Sequence, residues 1–196
     1  MANKIQAVLK NDTKVVTGVV RLSYANLFEP KSINGSDPKY SVSLIIPKSD
    51  KQMVKVLEQA IENAKELGKS KWGGKIPSNL KLPLRDGDED RPEDEAYENS
   101  YFINANSERA PQVVGTEKDK ATGKAIPLGP DEVYSGCYAR ASINFYPFNV
   151  NGNKGVACSL ISIQKIDDGE PLAGITSTPE EDFEFDEVDS EDDFLS

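Results

Sequence analysis

Several stretches of the chain alternate apolar and polar positions, and the alternation predicts strands. Val15 to Tyr24 is rich in β-branched residues, with Val16, Val20, Leu22 and Tyr24 sharing one face. Residues 29–38 hold Pro30, Asn34-Gly35 and Asp37-Pro38, which is loop chemistry. Tyr40, Val42, Leu44 and Ile46 then alternate with Lys39, Ser41 and Ser43, a second strand that Pro47 ends. At Ser49 the period changes. Ser49 reads as an N-cap with Gln52 completing a capping box. Val54, Leu57, Ile61 and Ala64 recur at helical spacing, and Gly68 reads as the C-cap. Residues 69–100 show no period. Tyr101 to Ala105 and Gln112 to Gly115 predict short strands, and a lysine-rich hairpin tip, Lys118 to Lys124, precedes Ile126-Pro127. Residues 136–148 and 154–166 predict a long strand pair turned by Asn151-Gly152.

Five or six strands, one helix and long loops predict a mainly β fold, a five- or six-stranded OB-fold-like barrel with the helix across it. Other small barrels and sandwiches meet the same count. The domain is expected over residues 1–173. Residues 174–196 are expected to form a disordered acidic tail, since they are acidic and carry too few apolar residues to collapse.

Charge sharpens this division. The net charge of the 196 residues is −10, yet residues 180–196 contain ten acids and no Lys or Arg. What precedes them is neutral. A second acidic run, 85–98, holds eight acids against Arg85 and Arg91, and without it the rest of the body carries +6. The chain is thus a mildly basic body with one acidic loop and one acidic tail.

Histidine is absent, which excludes Ser-His-Asp and Cys-His catalysis and every His-containing metal site. Cys137 and Cys158 cannot make a four-thiolate zinc site and read as small core hydrophobes rather than a disulfide. No apolar run is long enough to span a membrane, and no signal peptide is visible. Asp86, Asp88 and Asp90 match the first ligands of an EF-hand loop. The match fails at the sixth position, which is Arg91, and at the twelfth, which is Tyr97. No cofactor is expected.

Gly136 to Phe148 is the most informative stretch. Cys137, Ala139, Ala141, Ile143 and Phe145 form an ordinary core face. The opposite face carries Tyr138, Arg140, Ser142, Asn144, Tyr146 and Phe148. Aromatics stack on bases and Arg pairs with phosphate, so this is the composition of a single-strand platform. A second layer covering Tyr146 and Phe148 would explain the same residues. Lys71, Trp72 and Lys75, flanked by Gly73-Gly74, suit a mobile loop closing over a base; a Trp tucked under its own loop fits equally. In the tail, Phe183, Phe185 and Phe194 punctuate the acids, with Asp192 and Asp193 just before Phe194. A segment that must enter a groove built for phosphates and bases would use both residue types.

Several short stretches agree, in order, with one family. They are Leu82-Pro83-Leu84-Arg85-Asp86-Gly87-Asp88, Tyr101-Phe102-Ile103-Asn104-Ala105, Arg109-Ala110-Pro111-Gln112-Val113-Val114, Gly136-Cys137-Tyr138-Ala139-Arg140-Ala141, Gly155-Val156-Ala157-Cys158, Gln164-Lys165 and Asp167-Asp168-Gly169-Glu170-Pro171-Leu172. Over most of residues 10–175 the chain resembles the acidic-tailed single-stranded DNA-binding proteins of tailed phages. The resemblance implies an OB-fold, binding of single strands during replication and recombination, and a tail that contacts replication proteins such as a polymerase, helicase or primase. It also implies the cytoplasm of an infected bacterial host. A homodimer is compatible with this reading, and no enzymatic activity is expected. Two alternatives belong to other classes: a DNA-mimicking inhibitor, disfavoured because the body is neutral, and a metal-dependent nuclease built on the 86–90 carboxylates.

Overall fold

The computed structural model describes residues 5–32 and 35–172. Ten strands occur among them: β1 (Val8–Leu9), β2 (Lys14–Val16), β3 (Val20–Lys31), β4 (Lys39–Pro47), β5 (Leu84–Asp86), β6 (Ser100–Ser107), β7 (Gln112–Lys118), β8 (Ala125–Pro127), β9 (Tyr138–Val150) and β10 (Asn153–Asp167). A long helix, α1 (Lys51–Gly68), joins β4 to β5, and a single turn, α2 (Gly87–Asp90), follows β5. β3, β4, β6, β10 and β9 pair in turn and β9 returns to β3, which makes a five-stranded ring. The β6–β10 link is one parallel pair, Ser159↔Asn106, so the ring is a partly open barrel of OB type. β1 and β2 extend the edge of β9, β7 and β8 the edge of β10, and β5 pairs with β6.

The core lies inside the ring and under α1. Leu22, Val42, Leu44, Ile46, Ile103, Ala105, Ile143, Phe145, Leu160 and Ile163 point inward, and Met53, Leu57 and Ile61 of α1 close one end. Each fully buried Leu, Ile or Met contributes about 1.5–3 kcal/mol. The core face expected on β9 is observed: Cys137, Ala139, Ala141, Ile143 and Phe145 are all buried. Both thiols are free, and burial raises both above the usual thiol range. The β9–β10 hairpin turns at Asn151 (φ 53°) and Gly152 (φ 82°), as the Asn-Gly pair predicts.

Four local expectations are corrected. The strand expected over Val15 to Tyr24 is two strands. The Thr17 hydroxyl accepts from the Ala141 N–H at 2.9 Å and donates to the Gly18 carbonyl at 2.8 Å, which breaks the chain between β2 and β3. The inward residue is therefore Val15 rather than Val16, and Tyr24, with φ 46°, projects outward at 48% exposure. The helix is capped by Asp50, whose carboxylate accepts from the Met53 N–H, and not by Ser49. Gln52 instead clamps Ala7 through both of its amide atoms. Gly68 is the last helical residue and not a left-handed cap. Its missing Cβ makes room for Trp72, whose ring carbon would lie 2.5 Å from it.

Candidate nucleic-acid interface

The acidic run is a lid on the outside of the sheet. Its one aromatic, Tyr97, and Ala96 fold inward onto Ile45 and Phe102, which face outward from β4 and β6. Tyr97 meets Phe102 edge-to-face at 5.1 Å, and its hydroxyl bonds Ser43 at 2.9 Å. Several of the acids are committed. Asp86 and Asp88 both pair with Lys48 at 2.8 Å, and Asp90 pairs with Arg85 at 2.9 Å. These contacts hold the Lys48 ammonium well above the usual lysine range and both aspartates below the usual carboxylate range. The Asp86–Asp90 stretch is thus a network of ion pairs and caps, with Asp86 capping α2.

Beside this lid the outer faces of β3, β4 and β6 form a groove of about 340 Å³. Its lining includes Tyr24, Asn26, Lys31, Lys39, Ser41, Arg91, Asn104 and Asn106. Lys31 and Lys39 are exposed and directly opposite one another at the end of the β3–β4 hairpin. Like charges in that position repel, an arrangement that an anion between them would relieve. Tyr24 is held out by a bulge: the Ala25 N–H donates to Ser135 at 3.0 Å, and the Asn26 amide donates to the Tyr24 carbonyl at 3.1 Å. A left-handed backbone at a tyrosine costs about 1–2 kcal/mol. Such strain clusters at functional sites.

A row of polar side chains continues from the groove around the ring. Cross-strand register places Asn26, Ser41, Asn106, Ser159 and Asn144 in one row over β3, β4, β6, β10 and β9. All five are half-buried. Tyr146 stands next to this row, opposite Ala157, at 40% exposure. Partial burial, with Cys158 and Glu108 nearby, raises its hydroxyl above the usual range. Counting the five ring strands in chain order, β4 and β6 are the second and third. OB-folds bind oligonucleotides on that face, between the loops that follow the first and fourth strands. Here the β3–β4 connection and the β9–β10 turn at Asn151-Gly152 hold those positions.

The residues expected from the sequence fall into two clusters. Tyr146 and Phe148 lie toward the β9–β10 turn. Trp72 stands there too, but as a core side chain: it is 6% exposed, and its indole N–H donates to the Phe148 carbonyl at 3.0 Å. The mobile-loop reading of Trp72 is therefore corrected; the ring fills the space between Gly68 and Pro147. Lys71 and Lys75 flank it, exposed, and the Lys71 carbonyl accepts from the Asn149 amide at 3.1 Å. Tyr138 and Arg140 are at the far end of β9, roughly 25 Å from Tyr146 at about 3.3 Å per residue. Tyr138 lies under the Arg21 guanidinium, 5.7 Å from its ring centroid. Arg140 donates to the carbonyls of Thr17 at 2.8 Å and Gln6 at 3.1 Å, so its charge ties down the segment before β3. The four side chains Tyr138, Arg140, Tyr146 and Phe148 share the outward face of β9, with the aromatics separated into two ends by an Arg140 that is bonded to backbone carbonyls. Phe183, Phe185, Asp192, Asp193 and Phe194 lie outside the described residues.

The sequence alone did not bring Tyr24, Lys31, Lys39, Arg91, Asn104 and Asn106 together as the lining of one groove. The available signal was the run of polar side chains, Ser41, Ser43, Asn104 and Asn106, on the outward positions of two otherwise apolar strands.

The end of the described chain reaches the same region. Arg21 donates to the carbonyls of Gly136 at 3.1 Å and Glu170 at 2.6 Å, and the Leu172 N–H donates to the Ser135 carbonyl at 2.9 Å. Gly136 has φ 117°, and a Cβ there would meet the Glu170 carbonyl oxygen at 2.1 Å, so only glycine allows this crossing. Leu172 packs on the Tyr97–Phe102 cluster and borders a hollow that Tyr24 and Arg91 share.

The chain matches, over residues 13–195, the family described as Enterobacter phage Enc34, ssDNA-binding protein. Putative protein p50 of Acyrthosiphon pisum secondary endosymbiont phage 1 is 30% identical over 171 residues, 82% of this chain and 87% of that protein. The single-stranded DNA-binding protein from bacteriophage Enc34, solved in complex with ssDNA, aligns with 88% of this chain and 100% of its own at 26% identity and a TM-score of 0.71. The single-stranded DNA-binding protein gp2.5 of bacteriophage T7 shares the fold, with 16% identity, a TM-score of 0.57 and coverage of 90% of this chain and 98% of its own. The chain belongs to the phage single-stranded DNA-binding protein family represented by the Enc34 protein.

Proposed function

We propose that this protein binds single-stranded DNA without strong sequence preference, along the outer face of β3, β4 and β6 and onward toward Tyr146. The carrying observation is the groove itself. In a member of this family it sits on the second and third strands of the ring, with lysines at one end, hydrogen-bonding side chains along its floor and Tyr24 on its wall. Tyr146 and Phe148 stack bases where the strand leaves the polar row, and Lys71 and Lys75 meet its phosphates. Trp72 supports Phe148 from inside. Tyr138 and Arg140, at the far end of β9, serve a longer strand or none. Stacking needs unpaired bases, so single strands are preferred. In a competition titration against labelled oligo-dT, unlabelled single strands should displace the probe at far lower concentration than duplex of equal length. Equal displacement would reject the reading, and Mg²⁺-dependent cleavage of either competitor would support a nuclease.

The acidic tail, residues 174–196, acts in this proposal as a competitor for the groove and a hook for replication proteins such as a polymerase, helicase or primase, in one chain or across a homodimer. Support comes from where the described chain ends: Leu172 is clasped beside Tyr24 and Arg91. Tethering there gives the tail an effective concentration on the order of 1 mM. A tail–groove affinity of about 0.1 mM would then weaken DNA binding about tenfold. Removing residues 180–196 should tighten oligo-dT binding by that factor at 50 mM salt, with the gain shrinking as salt screens the attraction. A truncated protein that binds no better at low salt would leave the tail only a docking or solubilising role.

A further inference from the structure

We propose that Arg91 is a phosphate-binding side chain of the groove, kept from pairing with its acidic neighbours by an aromatic cage, and that Tyr24 stacks a base beside it. This rests on the groove reading above.

Arg91 belongs to the most acidic stretch of the described chain, yet it makes no ion pair among the described residues. All four aspartates of the run are directed elsewhere. Asp86 and Asp88 hold Lys48, Asp90 holds Arg85, and Asp94 accepts from the Ala96 N–H. The Arg91 guanidinium instead sits among three rings, 5.1 Å from Tyr24, 5.1 Å from Tyr97 and 5.3 Å from Phe102. Its Nε is buried and has no hydrogen-bond partner. Ring quadrupoles compensate a cation only partly, and a shielded donor without an acceptor is costly. An arginine kept in this state is poised for an acceptor that arrives with a ligand, and its planar fork matches a phosphate.

The surroundings say where that phosphate lies. Arg91 borders two hollows. One is the groove, where Lys31 and Lys39 outnumber the single acid Asp37 and stand with the asparagines; the other is walled by Asp90, Glu93, Asp94 and Glu95. Phosphates are attracted to the first and repelled by the second, so Arg91 marks one limit of the bound strand. Tyr24 projects at the same border on a strained backbone. Arg91 lies against its ring, and 48% of the residue remains exposed. A base on that exposed surface would complete a stack of base, tyrosine and guanidinium.

The test is the salt dependence of oligo-dT binding, read by fluorescence anisotropy on the full chain. Each phosphate contact on a single strand adds about 0.7 to the slope of log K against log salt, or roughly eightfold in affinity at 50 mM salt. Arg91→Gln should lose one such contact in both readouts, and Arg91→Lys should keep the slope while recovering only part of the affinity. Tyr24→Ala should weaken binding at unchanged slope, with Tyr24→Phe near wild type. A dT oligomer with a neutral methylphosphonate backbone should bind wild type and Arg91→Gln equally. A packing role for Arg91 would leave the slope unchanged and would separate the two proteins on the neutral oligomer. Wild-type slope and affinity in Arg91→Gln would overturn the assignment. If a Lys31→Gln/Lys39→Gln variant is weakened in that case, the groove stands without Arg91. If that variant is also unaffected while Tyr146→Ala is weakened, the groove reading itself fails. Should Arg91→Gln not fold, a wild-type slope in Arg91→Lys with its affinity also unchanged would overturn the fork-specific contact.

Discussion

Trp72→Ala should destabilise the protein by about 3–5 kcal/mol, the range for removing a large buried aromatic. Trp72 is 6% exposed and occupies space that Gly68 leaves at the end of α1. It also donates to the half-buried Phe148 carbonyl, so its loss removes that hydrogen bond besides opening a cavity. At about 2–4 °C per kcal/mol for a domain of this size, the melting temperature should fall by roughly 6–20 °C. Trp72→Phe should cost much less, since most of the packing returns and only the hydrogen bond is lost. Calorimetry on both variants measures this. Because Trp72 is the only tryptophan, its emission also reports its environment directly. A buried indole emits at short wavelength and changes little when oligo-dT is added. Strong quenching by DNA would show the ring stacking on bases and contradict the core placement.

The Lys31→Gln/Lys39→Gln double variant should bind oligo-dT about 60-fold more weakly at 50 mM salt, and only about threefold more weakly at 0.5 M. The two lysines face each other across the β3–β4 hairpin and line the groove. If each contacts one phosphate, each releases about 0.7 counterion, and the release is worth most when bulk salt is scarce. The fold should be unaffected or slightly stabilised, because a repulsive pair is removed. A loss of affinity independent of salt would point to distortion of the hairpin. No loss at 50 mM would place the strand elsewhere.

These two sites show what the sequence carried and what it did not. The β9 alternation was legible because a half-buried strand repeats every second residue, and every inward residue expected from Cys137 to Phe145 is buried. The β9–β10 turn and α1 were legible for the same reason, since their signals are local. Trp72 was ambiguous because its neighbours, Gly73-Gly74, Lys71 and Lys75, describe a loop that can either present the ring or cover it. Its burial is decided by Pro147 and Phe148, distant in the chain, acting on the space that nearby Gly68 leaves open. The groove was illegible because it draws on four separate segments around Tyr24, the β3–β4 hairpin, Arg91 and Asn104–Asn106. Its floor is serine and asparagine, whose alternation marks an outward face without saying what that face meets. Arg91 was hidden in a run that looked like a failed metal loop, and only the folded arrangement separates it from the acids. The outward face of β9 was read correctly as polar and aromatic. What it lacked was the knowledge that Arg140 is drawn to the Thr17 and Gln6 carbonyls while Tyr146 adjoins a row continuing from the groove.

Amide hydrogen exchange of the full chain, with and without saturating oligo-dT, tests the central claim most directly. The account predicts that protection gained on binding concentrates in β3 from Tyr24 onward, in β4, in residues 87–98 and in β6, and extends to β9 around Tyr146. The start of β9, at Tyr138 to Arg140, should change little with a short oligonucleotide. Protection confined to Tyr138–Ser142, with none in β4, β6 or the 87–98 lid, would contradict it.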